Sequence, residues 1–274
     1  MSRVRGLIIA SHPGPSLAIS AMATLLVAQA APHGAGPVLA GPAMLAGQLS
    51  IGWSNDAFDA RRDATAGRTD KPIATGDISM RAVWTAAIAT VAAALAMSLA
   101  IGVANAIVNA VMLTAGWAYN ARLKSTLASG LMYLLGFGLI PAYATSTLPG
   151  HPAPRWWVTA AAALVGLGAH FVNVLPDLAA DRATGVNGLP QWVAARWGTG
   201  TIRAIALVLL LSASVLLLLA SSRSRRWVTL AGLGAAVLLA VVGARGSGRL
   251  PFLAAIGIAA IDVALFAAGG DALT

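Results

Sequence analysis

Long apolar stretches, separated by short polar segments, follow one another along the whole chain. A helix needs about 20 predominantly apolar residues to cross the hydrocarbon core of a bilayer, and these stretches have about that length. The first extends back toward Leu7, but His12, Pro13 and Pro15 interrupt it, so we expect a break in its helix there. The pattern predicts nine membrane-spanning helices, at 16–31, 38–54, 82–101, 103–119, 127–147, 156–175, 202–220, 227–243 and 251–268.

The composition agrees with a membrane protein. Of the 274 residues, 58% are hydrophobic and 10% are charged, whereas soluble domains are about half apolar and about a quarter charged. The net charge of +9 would suggest nucleic-acid binding in a soluble protein, but here the basic residues are scattered between the apolar stretches. The absence of Cys excludes disulfides and Cys-ligated zinc or iron-sulfur sites. We therefore expect an all-α polytopic membrane protein, with one transmembrane domain over residues 1–274 and no nucleic-acid partner.

The distribution of Lys and Arg predicts the orientation. If the N-terminus is inside, 14 of the 18 Lys and Arg residues fall on the inner side, as the positive-inside rule requires. The other four are Arg155, Arg223, Arg225 and Arg226. The basic stretch 222–226 is an exception that the rule does not explain. We expect a multi-pass protein of the cell membrane with its N-terminus in the cytoplasm.

Acidic residues concentrate in two of the inner segments, 55–81 and 176–201. These segments hold seven of the nine acidic residues, and the chain contains no Glu. The seven are Asp56, Asp59, Asp63, Asp70, Asp77, Asp177 and Asp181.

The two segments share a pattern, Asn-x3-Asp-x3-Asp-x3-Gly, which starts at Asn55 in one and at Asn173 in the other. Pro72 and Pro190 follow at the same offset. Four predicted helices separate the copies, so both emerge on the same side of the membrane. The pattern indicates a parallel repeat of two four-helix units, with the ninth helix left over. The alternative is chance similarity between Ala-rich segments.

The spacing predicts that the acidic residues of each copy share one helix face. Several carboxylates at the mouth of an apolar bundle repel one another and are costly to desolvate, and a bound cation would relieve that cost. Oxygen ligands without Cys suit Mg²⁺. A single Asp near a helix end is more often a cap or a solvated charge, but two matching clusters favour a metal site. The clusters are Asp56, Asp59 and Asp63, and Asn173, Asp177 and Asp181.

Five basic residues, Arg61, Arg62, Arg68, Lys71 and Arg182, stand among these carboxylates. Topology and snorkelling explain Arg61 and Arg62 equally well. Lys71 and Arg68 follow the acidic helix, where a loop could fold back and bind an anion. Acids and bases mixed at a membrane cavity favour a metal-bridged diphosphate with a lipid tail.

Three short motifs resemble the signature of an enzyme family. Asn-Asp-x-x-Asp-x-x-x-Asp at 55–63, followed by Lys-Pro-Ile at 71–73, resembles the first aspartate-rich motif of the UbiA superfamily of intramembrane prenyltransferases. Asp-x-x-x-Asp at 177–181, leading to Leu-Pro at 189–190, is similar to the second. Tyr119 and Lys124 match the Tyr-x-x-x-x-Lys stretch after the family's fourth helix. The motifs span about half of the chain, and the nine-helix count fits the whole.

The resemblance implies transfer of an isoprenyl group from an isoprenyl diphosphate to a small aromatic or other lipophilic acceptor in the bilayer. Two Mg²⁺ ions would be held by Asn55, Asp56, Asp59 and Asp63 and by Asp177 and Asp181. Lys71, Arg68, Tyr119 and Lys124 would contact the diphosphate or assist its departure, and Asn173, Arg182 and Arg62 would bind substrate. Two positions depart from the family pattern: Gly185 replaces a third Asp that some members have, and Asp70 stands where Asn often precedes the basic residue.

Other polar and aromatic residues have open interpretations. Trp53, Trp84, Trp117, Tyr133 and Phe171 are candidates to shield an allylic cation from water, although membrane aromatics more often pack or form belts. His12 and His170 lie where they could reach the cavity, but a lone histidine is more often a packed or interfacial residue. Asp262 lies in the last predicted helix, where an ionised group is costly; it could pair with Arg245 or Arg249, stay protonated, or face a portal.

Three alternatives stay open at this stage. Two lie within the same fold: a membrane terpene cyclase, and a transferase that moves a phosphorylated sugar, such as a phosphoribosyl group, onto a lipid phosphate. The third, an ion-coupled transporter, is disfavoured because transporters place ionisable residues near the midplane, whereas here all but Asp262 lie near or beyond an interface. The sequence predicts neither the acceptor nor the prenyl length, since both depend on cavity shape.

Overall fold

The computed structural model describes residues 3–31, 33–222, 225–246, 250–268 and 273. These residues form helices and no strand, which confirms the all-α class for this part of the chain. The helices are α1 (Arg3–Ala10), α2 (Pro13–Ala30), α3 (Ala35–Thr65), α4 (Met80–Ile101), α5 (Val103–Ala121), a 3₁₀ turn (Leu123–Ser125), α6 (Ser129–Gly138), α7 (Ile140–Thr145), α8 (Trp156–Val174), α9 (Leu178–Ala183), α10 (Leu189–Trp197), α11 (Thr199–Ala220), α12 (Arg226–Arg245) and α13 (Leu250–Ala268).

Each predicted span overlaps a helix. Within the described residues, five helices, α2, α4, α8, α11 and α12, are long and apolar enough to cross a membrane, as judged by length and composition. The apolar segments at Ser129–Thr145 and Leu250–Leu265 are shorter. The number of nine crossings therefore stays a prediction. Arg223 and Arg249, which entered the charge count, lie outside the described residues.

The chain divides into two compact units. The first comprises Met1–Arg122 and Tyr143–Pro152, and the second comprises Leu123–Ala142 and Ala153–Thr274. The first unit contains the first four predicted spans, and the second contains most of the fifth and the last four. The arrangement as two four-helix repeats plus one helix stays a prediction.

Buried polar side chains join the helices of the first unit. Asn105 Nδ2 donates to the Tyr143 carbonyl at 3.1 Å and to Ser146 Oγ at 2.9 Å. The Tyr143 hydroxyl donates to the Ala40 carbonyl at 2.8 Å, and Asn109 Nδ2 donates to Ser98 Oγ at 2.8 Å. Hydrogen bonds between helices stabilise membrane bundles, because lipid tails cannot form hydrogen bonds with a polar side chain.

The core of the second unit forms around α8 and α11, where Val165, Phe171, Ile202 and Leu210 are buried together with Ile258 of α13. In the same helix as Ile258, Asp262 is buried and accepts a hydrogen bond from Ser214 Oγ. Its Oδ2 atom has no hydrogen-bond partner among the described residues. Of the earlier alternatives, an ion pair with Arg245 is not formed in the described part of the chain.

Candidate active site

The first aspartate-rich motif lies on the last turns of α3, which continues past the predicted span 38–54 to Thr65. Asp56, Asp59 and Asp63 occupy one face of this helix and are 2%, 7% and 4% exposed. The predicted common face is therefore confirmed for this copy of the repeat. Three buried carboxylates on one helix face need positive charge or metal to compensate them.

Lys71 supplies part of that charge. Its Nζ atom lies 2.6 Å from Asp56 Oδ1, because the segment after α3 folds back as the sequence suggested. Gly67 ends the helix in the left-handed region with φ of 67°, and the backbone N–H of Arg68 returns to the Asp63 carbonyl at 3.0 Å. A glycine after the last helical turn allows this reversal without a Cβ clash.

Arg68 bonds within the same loop. Its Nε and Nη2 atoms each lie 2.8 Å from the carboxylate of Asp70. This hydrogen-bonded pair lowers the pKa of Asp70 to about 2. The residue that departs from the family pattern thus forms an ion pair with the neighbouring base, and a contact between Arg68 and a diphosphate stays a prediction.

His12 also contacts the first motif. Its Nε2 atom lies 2.8 Å from Asp56 Oδ1 and 3.4 Å from Lys71 Nζ. Burial raises the pKa of Asp56, but the hydrogen bond from His12 and the charge of Lys71 outweigh burial and hold that pKa below its ordinary value. Of the two readings of His12, a residue that reaches the cavity and a packed or interfacial residue, the contact with Asp56 favours the first. The sequence indicated the break at His12-Pro13 but not the partner of the imidazole.

Asn120 orients Asn55 and was also missed. Its Nδ2 atom donates to the Ile51 carbonyl and to Ser54 Oγ, both at 2.8 Å, which ties the end of α5 to α3. Its Oδ1 atom accepts from Asn55 Nδ2 at 3.2 Å. Because the amide nitrogen of Asn55 is used in this bond, its carbonyl oxygen is directed elsewhere, as a metal ligand requires.

The remaining carboxylates of this motif differ in their partners. Asp59 accepts a hydrogen bond from Arg62 Nη2 at 2.8 Å. Asp63 Oδ2 is buried without a hydrogen-bond partner in the described part of the chain. Burial raises the pKa of Asp63, Lys71 opposes the shift, and neighbouring Asp59 adds to it. An unpaired buried carboxylate oxygen is costly, so Asp63 is the clearest open ligand of the site.

The second motif lies in the second unit. The prediction that its residues share one helix was wrong, because they are divided between two helices and the turn between them. Asn173 is in the last turn of α8, Asp177 lies in the following turn, and Asp181 is in α9. Pro176 lies two residues after the end of α8; proline cannot donate the backbone hydrogen bond that would continue the helix. Asn173 and Asp177 are exposed, so this motif is more open than the first.

Nearby side chains hold the second motif in place. Gln191 Nε2 donates to Asp181 Oδ2 at 2.8 Å, and Asn173 Nδ2 lies 3.4 Å from the Tyr133 hydroxyl. Ser129 Oγ accepts from the Leu189 N–H at 2.9 Å and lies 3.0 Å from His170 Nε2. His170 is therefore a packed, hydrogen-bonded histidine, as interpreted. Gln191 had no sequence signal, because its contact depends on how the α9–α10 loop folds.

The other predicted residues are placed as follows. Tyr119 lies in the last turn of α5, Lys124 lies in the 3₁₀ turn Leu123–Ser125, and Arg182 is an exposed residue of α9. The structure leaves their proposed contacts with substrate untested.

The candidate aromatic lining separates into two groups. Trp84 packs against Phe58 and Trp117, with ring centroids 5.1 Å and 5.8 Å away, and Phe58 lies within the first motif. By contrast, Trp53 and Phe171 are buried in the cores of their units. These two residues pack in the cores and stabilise the fold. In the second unit, Tyr133 stacks on His170 at 4.4 Å.

The donor set of the first motif fits Mg²⁺. It offers carboxylate and amide oxygens, with one buried oxygen of Asp63 unpaired in the described residues. No three His or Asp side chains in the described part of the chain lie close enough to hold a metal by themselves. Mg²⁺ typically uses one or two protein carboxylates and completes its octahedron with water and substrate phosphates. The residues therefore fit an ion that is bound together with a phosphorylated ligand.

Known proteins that resemble this chain also bind a phosphorylated ligand together with Mg²⁺. The sequence matches the UbiA prenyltransferase family over residues 16–268, although no curated protein matches it. A UbiA homolog from Archaeoglobus fulgidus bound to DMAPP and Mg²⁺ is 18% identical, with a TM-score of 0.71 over 97% of this chain and 99% of that chain. The same homolog bound to GPP and Mg²⁺ is 16% identical, with a TM-score of 0.70 over 96% of this chain and 98% of that chain.

A third structure, the apo UbiA homolog from Aeropyrum pernix K1, is 15% identical, with a TM-score of 0.69 over 99% of this chain and 98% of that chain. At these identities the structural likeness establishes the fold alone. The family match covers nearly the whole chain, and five helices in the described part of the chain are long and apolar enough to cross a membrane. We conclude that this chain is an integral membrane protein and that it belongs to the UbiA prenyltransferase family.

Proposed function

We propose that the protein transfers an isoprenyl group from an isoprenyl diphosphate to a small aromatic or other lipophilic acceptor within the membrane, releasing diphosphate. The observation that carries the proposal is the buried face of α3, where Asp56, Asp59 and Asp63 meet Lys71 and one Asp63 oxygen is unpaired in the described residues. Family membership supports it, as do the related structures with DMAPP or GPP and Mg²⁺.

Two Mg²⁺ ions are proposed as cofactors. Asn55, Asp56, Asp59 and Asp63 would hold one ion, and Asp177 and Asp181 would hold the other. When bound, Mg²⁺ neutralises the negative charge that develops on the departing diphosphate, without any transfer of a proton.

The side chains of the protein bind and orient the diphosphate. Lys71, Arg68, Tyr119 and Lys124 would donate to its oxygens, and their fixed positions stabilise the charge that develops as it leaves. Asn173, Arg182 and Arg62 would add further contacts to the substrate.

Chemistry takes place at the allylic carbon of the donor. The bond from this carbon to the diphosphate oxygen breaks, and its electron pair leaves with the diphosphate. A nucleophilic carbon or oxygen of the acceptor forms the new bond and then loses a proton. Trp84, Trp117 and Tyr133 would keep water away from the carbocation-like centre. The protein supplies no nucleophile of its own.

We further propose a topology of nine membrane-spanning helices in one domain, as two four-helix repeats plus one. The N-terminus and both aspartate-rich motifs would lie on the cytoplasmic side. The excess of Lys and Arg in the inner segments supports this orientation.

The decisive experiment incubates the purified protein with labelled isoprenyl diphosphates of several lengths, Mg²⁺ and a panel of aromatic and lipid acceptors. Both diphosphate release and a prenylated product are expected. Release without an acceptor, together with a cyclic hydrocarbon, would instead identify a terpene cyclase. Transfer of a phosphoribosyl group to a lipid phosphate would identify the other alternative. The absence of turnover with all donors would contradict the proposal.

A further inference from the structure

His12 occupies the break between α1 and α2. Its backbone has φ of 51°, a left-handed conformation that is uncommon for a residue with a side chain. Pro13 directly after it begins α2. The helix therefore breaks at His12 for a local reason, and the imidazole projects from the break between α1 and α2 instead of from a regular helix face.

Three contacts dock this bend against α3. Trp53 Nε1 donates to the Leu7 carbonyl at 2.8 Å. A Cβ on Gly52 would clash with the Ser11 carbonyl, so only glycine permits the backbone of the bend to approach α3 this closely. The His12 imidazole reaches Asp56, one turn beyond Gly52.

The contact uses only one of the two oxygens of Asp56. Oδ1 accepts from both His12 Nε2 at 2.8 Å and Lys71 Nζ at 2.6 Å. Oδ2 accepts no hydrogen bond from any described residue. Two donors on the same oxygen fix the rotation of the carboxylate and leave the other oxygen available to a ligand.

Lys71 has a second task in the proposed mechanism, because it would donate to the diphosphate. When its ammonium turns toward phosphate oxygens, Asp56 Oδ1 loses one of its two donors. His12 then remains as the group that holds the carboxylate in place. Outer-shell hydrogen bonds of this kind orient ligating carboxylates and affect metal affinity.

We propose that His12 is a positioning residue: it anchors Asp56 through Oδ1, directs Oδ2 toward the Mg²⁺ of the first motif, and makes docking of the α1–α2 bend a requirement for that metal site. This inference rests on the proposed function, since it assumes that Asp56 is a metal ligand. His12 itself touches neither metal nor substrate.

The test measures metal binding directly, with Mn²⁺ as an oxygen-seeking substitute for Mg²⁺ and with inorganic diphosphate present. Free Mn²⁺ is quantified by its EPR signal in detergent solutions of the wild type and of His12→Ala, His12→Gln and Asp63→Ala. We expect His12→Ala to weaken Mn²⁺ binding by about tenfold or more. His12→Gln, which keeps an N–H donor at similar reach, should recover much of the affinity.

Kinetics and stability provide the second readout. In His12→Ala the Mg²⁺ concentration for half-maximal rate should rise about tenfold, while the KM for the isoprenyl diphosphate at saturating Mg²⁺ stays near the wild-type value. The matched control is His33→Ala, which removes an exposed histidine outside the site. Thermal unfolding in EDTA compares the folding of all variants.

The outcomes separate the two proposals. If His12→Ala and His12→Gln bind Mn²⁺ like the wild type while Asp63→Ala does not, the role of His12 is wrong and the metal site stands. If the wild type binds no Mn²⁺, or Asp63→Ala binds it normally, the metal site of the proposed function is itself wrong. If His12→Gln is as impaired as His12→Ala while both melt like the wild type, a positioning hydrogen bond is also excluded.

Discussion

Asp56 and Asp63 lie two turns apart on the same face of α3, yet their surroundings shift their pKa values in opposite directions. Burial raises the pKa of both carboxyls. For Asp56, direct hydrogen bonds from His12 and Lys71 outweigh burial, whereas the buried Oδ2 of Asp63 receives no such bond from the described residues. The lowered pKa of Asp56 stabilises the fold above the ordinary carboxyl pKa, and that contribution is lost as the pH falls. The raised pKa of Asp63 has the opposite effect on stability, so its ionised form lowers the free energy of unfolding at neutral pH.

We therefore predict that Asp63→Asn stabilises the metal-free protein and impairs the enzyme. Removing an unpaired buried charge should raise the Tm in EDTA at pH 7, because the amide avoids the desolvation cost of a carboxylate. Turnover should fall at least about 100-fold, which corresponds to about 2.7 kcal/mol of transition-state stabilisation. Thermal melts and product formation check the two effects. A lower Tm in EDTA would contradict the burial argument, since it would mean that the carboxylate has a stabilising partner.

Asp177 allows a cleaner test of catalysis than the buried carboxylates, because it is exposed in the turn after α8. We predict that Asp177→Ala abolishes turnover and leaves the Tm in EDTA within about one degree of wild type, as surface substitutions usually change stability little. Asp77→Ala is the control, because Asp77 is an acidic residue of the α3–α4 loop that is not among the proposed metal ligands. Activity within about threefold of wild type in Asp177→Ala would be incompatible with a direct metal ligand at that position.

At the scale of elements, the two copies of the repeat begin alike and fold differently. In the first, α3 continues through the motif to Thr65. In the second, α8 ends at Val174 before Pro176, and α9 begins at Leu178. Equal spacing in the sequence thus produces a buried helical face in one copy and a more exposed, turned segment in the other. The difference comes from one proline, which cannot donate a backbone hydrogen bond.

Because the α1–α2 bend lies close to α3, we predict that replacing glycine by alanine is harmful at Gly52 and harmless at Gly14. Gly52→Ala would place a methyl group against the Ser11 carbonyl, displace the bend and separate His12 from Asp56. We expect a lower Tm and a higher Mg²⁺ requirement. Gly14→Ala is the matched control, because a Cβ there would meet nothing within 4 Å, and alanine favours the first turn of α2. Equal behaviour of the two variants would show that the bend is not tightly docked.

For the whole molecule, the proposed metal dependence predicts a specific response to chelation. EDTA should abolish turnover and Mg²⁺ should restore it. Ca²⁺ should restore little, because its longer and more flexible coordination does not hold the diphosphate in the geometry that Mg²⁺ imposes. Product formation after dialysis against each ion measures this. Full activity after exhaustive chelation would show that the aspartate-rich motifs do not act in catalysis through a bound metal.

The topology can be tested with single cysteines, since the natural chain has none. Thr69, Asn187 and Ala153 are exposed residues in three different loops. Cysteines at Thr69 and Asn187 should react with an impermeant thiol reagent from the cytoplasmic side, and a cysteine at Ala153 should react from the opposite side. If Thr69 and Asn187 are labelled from opposite sides, the two motifs cannot serve one diphosphate.

The sequence alone determined the features that depend on local periodicity. These include helices at each apolar stretch, the break at His12-Pro13, the common face of Asp56, Asp59 and Asp63, and the family to which the motifs point. Each follows from interactions between residues a few positions apart, or from a pattern of residue types, so no knowledge of packing was needed.

Only the tertiary structure decided which side chains complete the two motifs. His12 and Asn120 lie 44 and 65 positions from their partners Asp56 and Asn55, and Gln191 reaches Asp181 only because the loop between α9 and α10 folds back. Trp53 and Phe171, for which the sequence left lining and packing both open, are core residues in the structure. Such contacts depend on which helix faces pack together, and an apolar stretch that is hydrophobic nearly all round does not specify which of its faces will meet a neighbour.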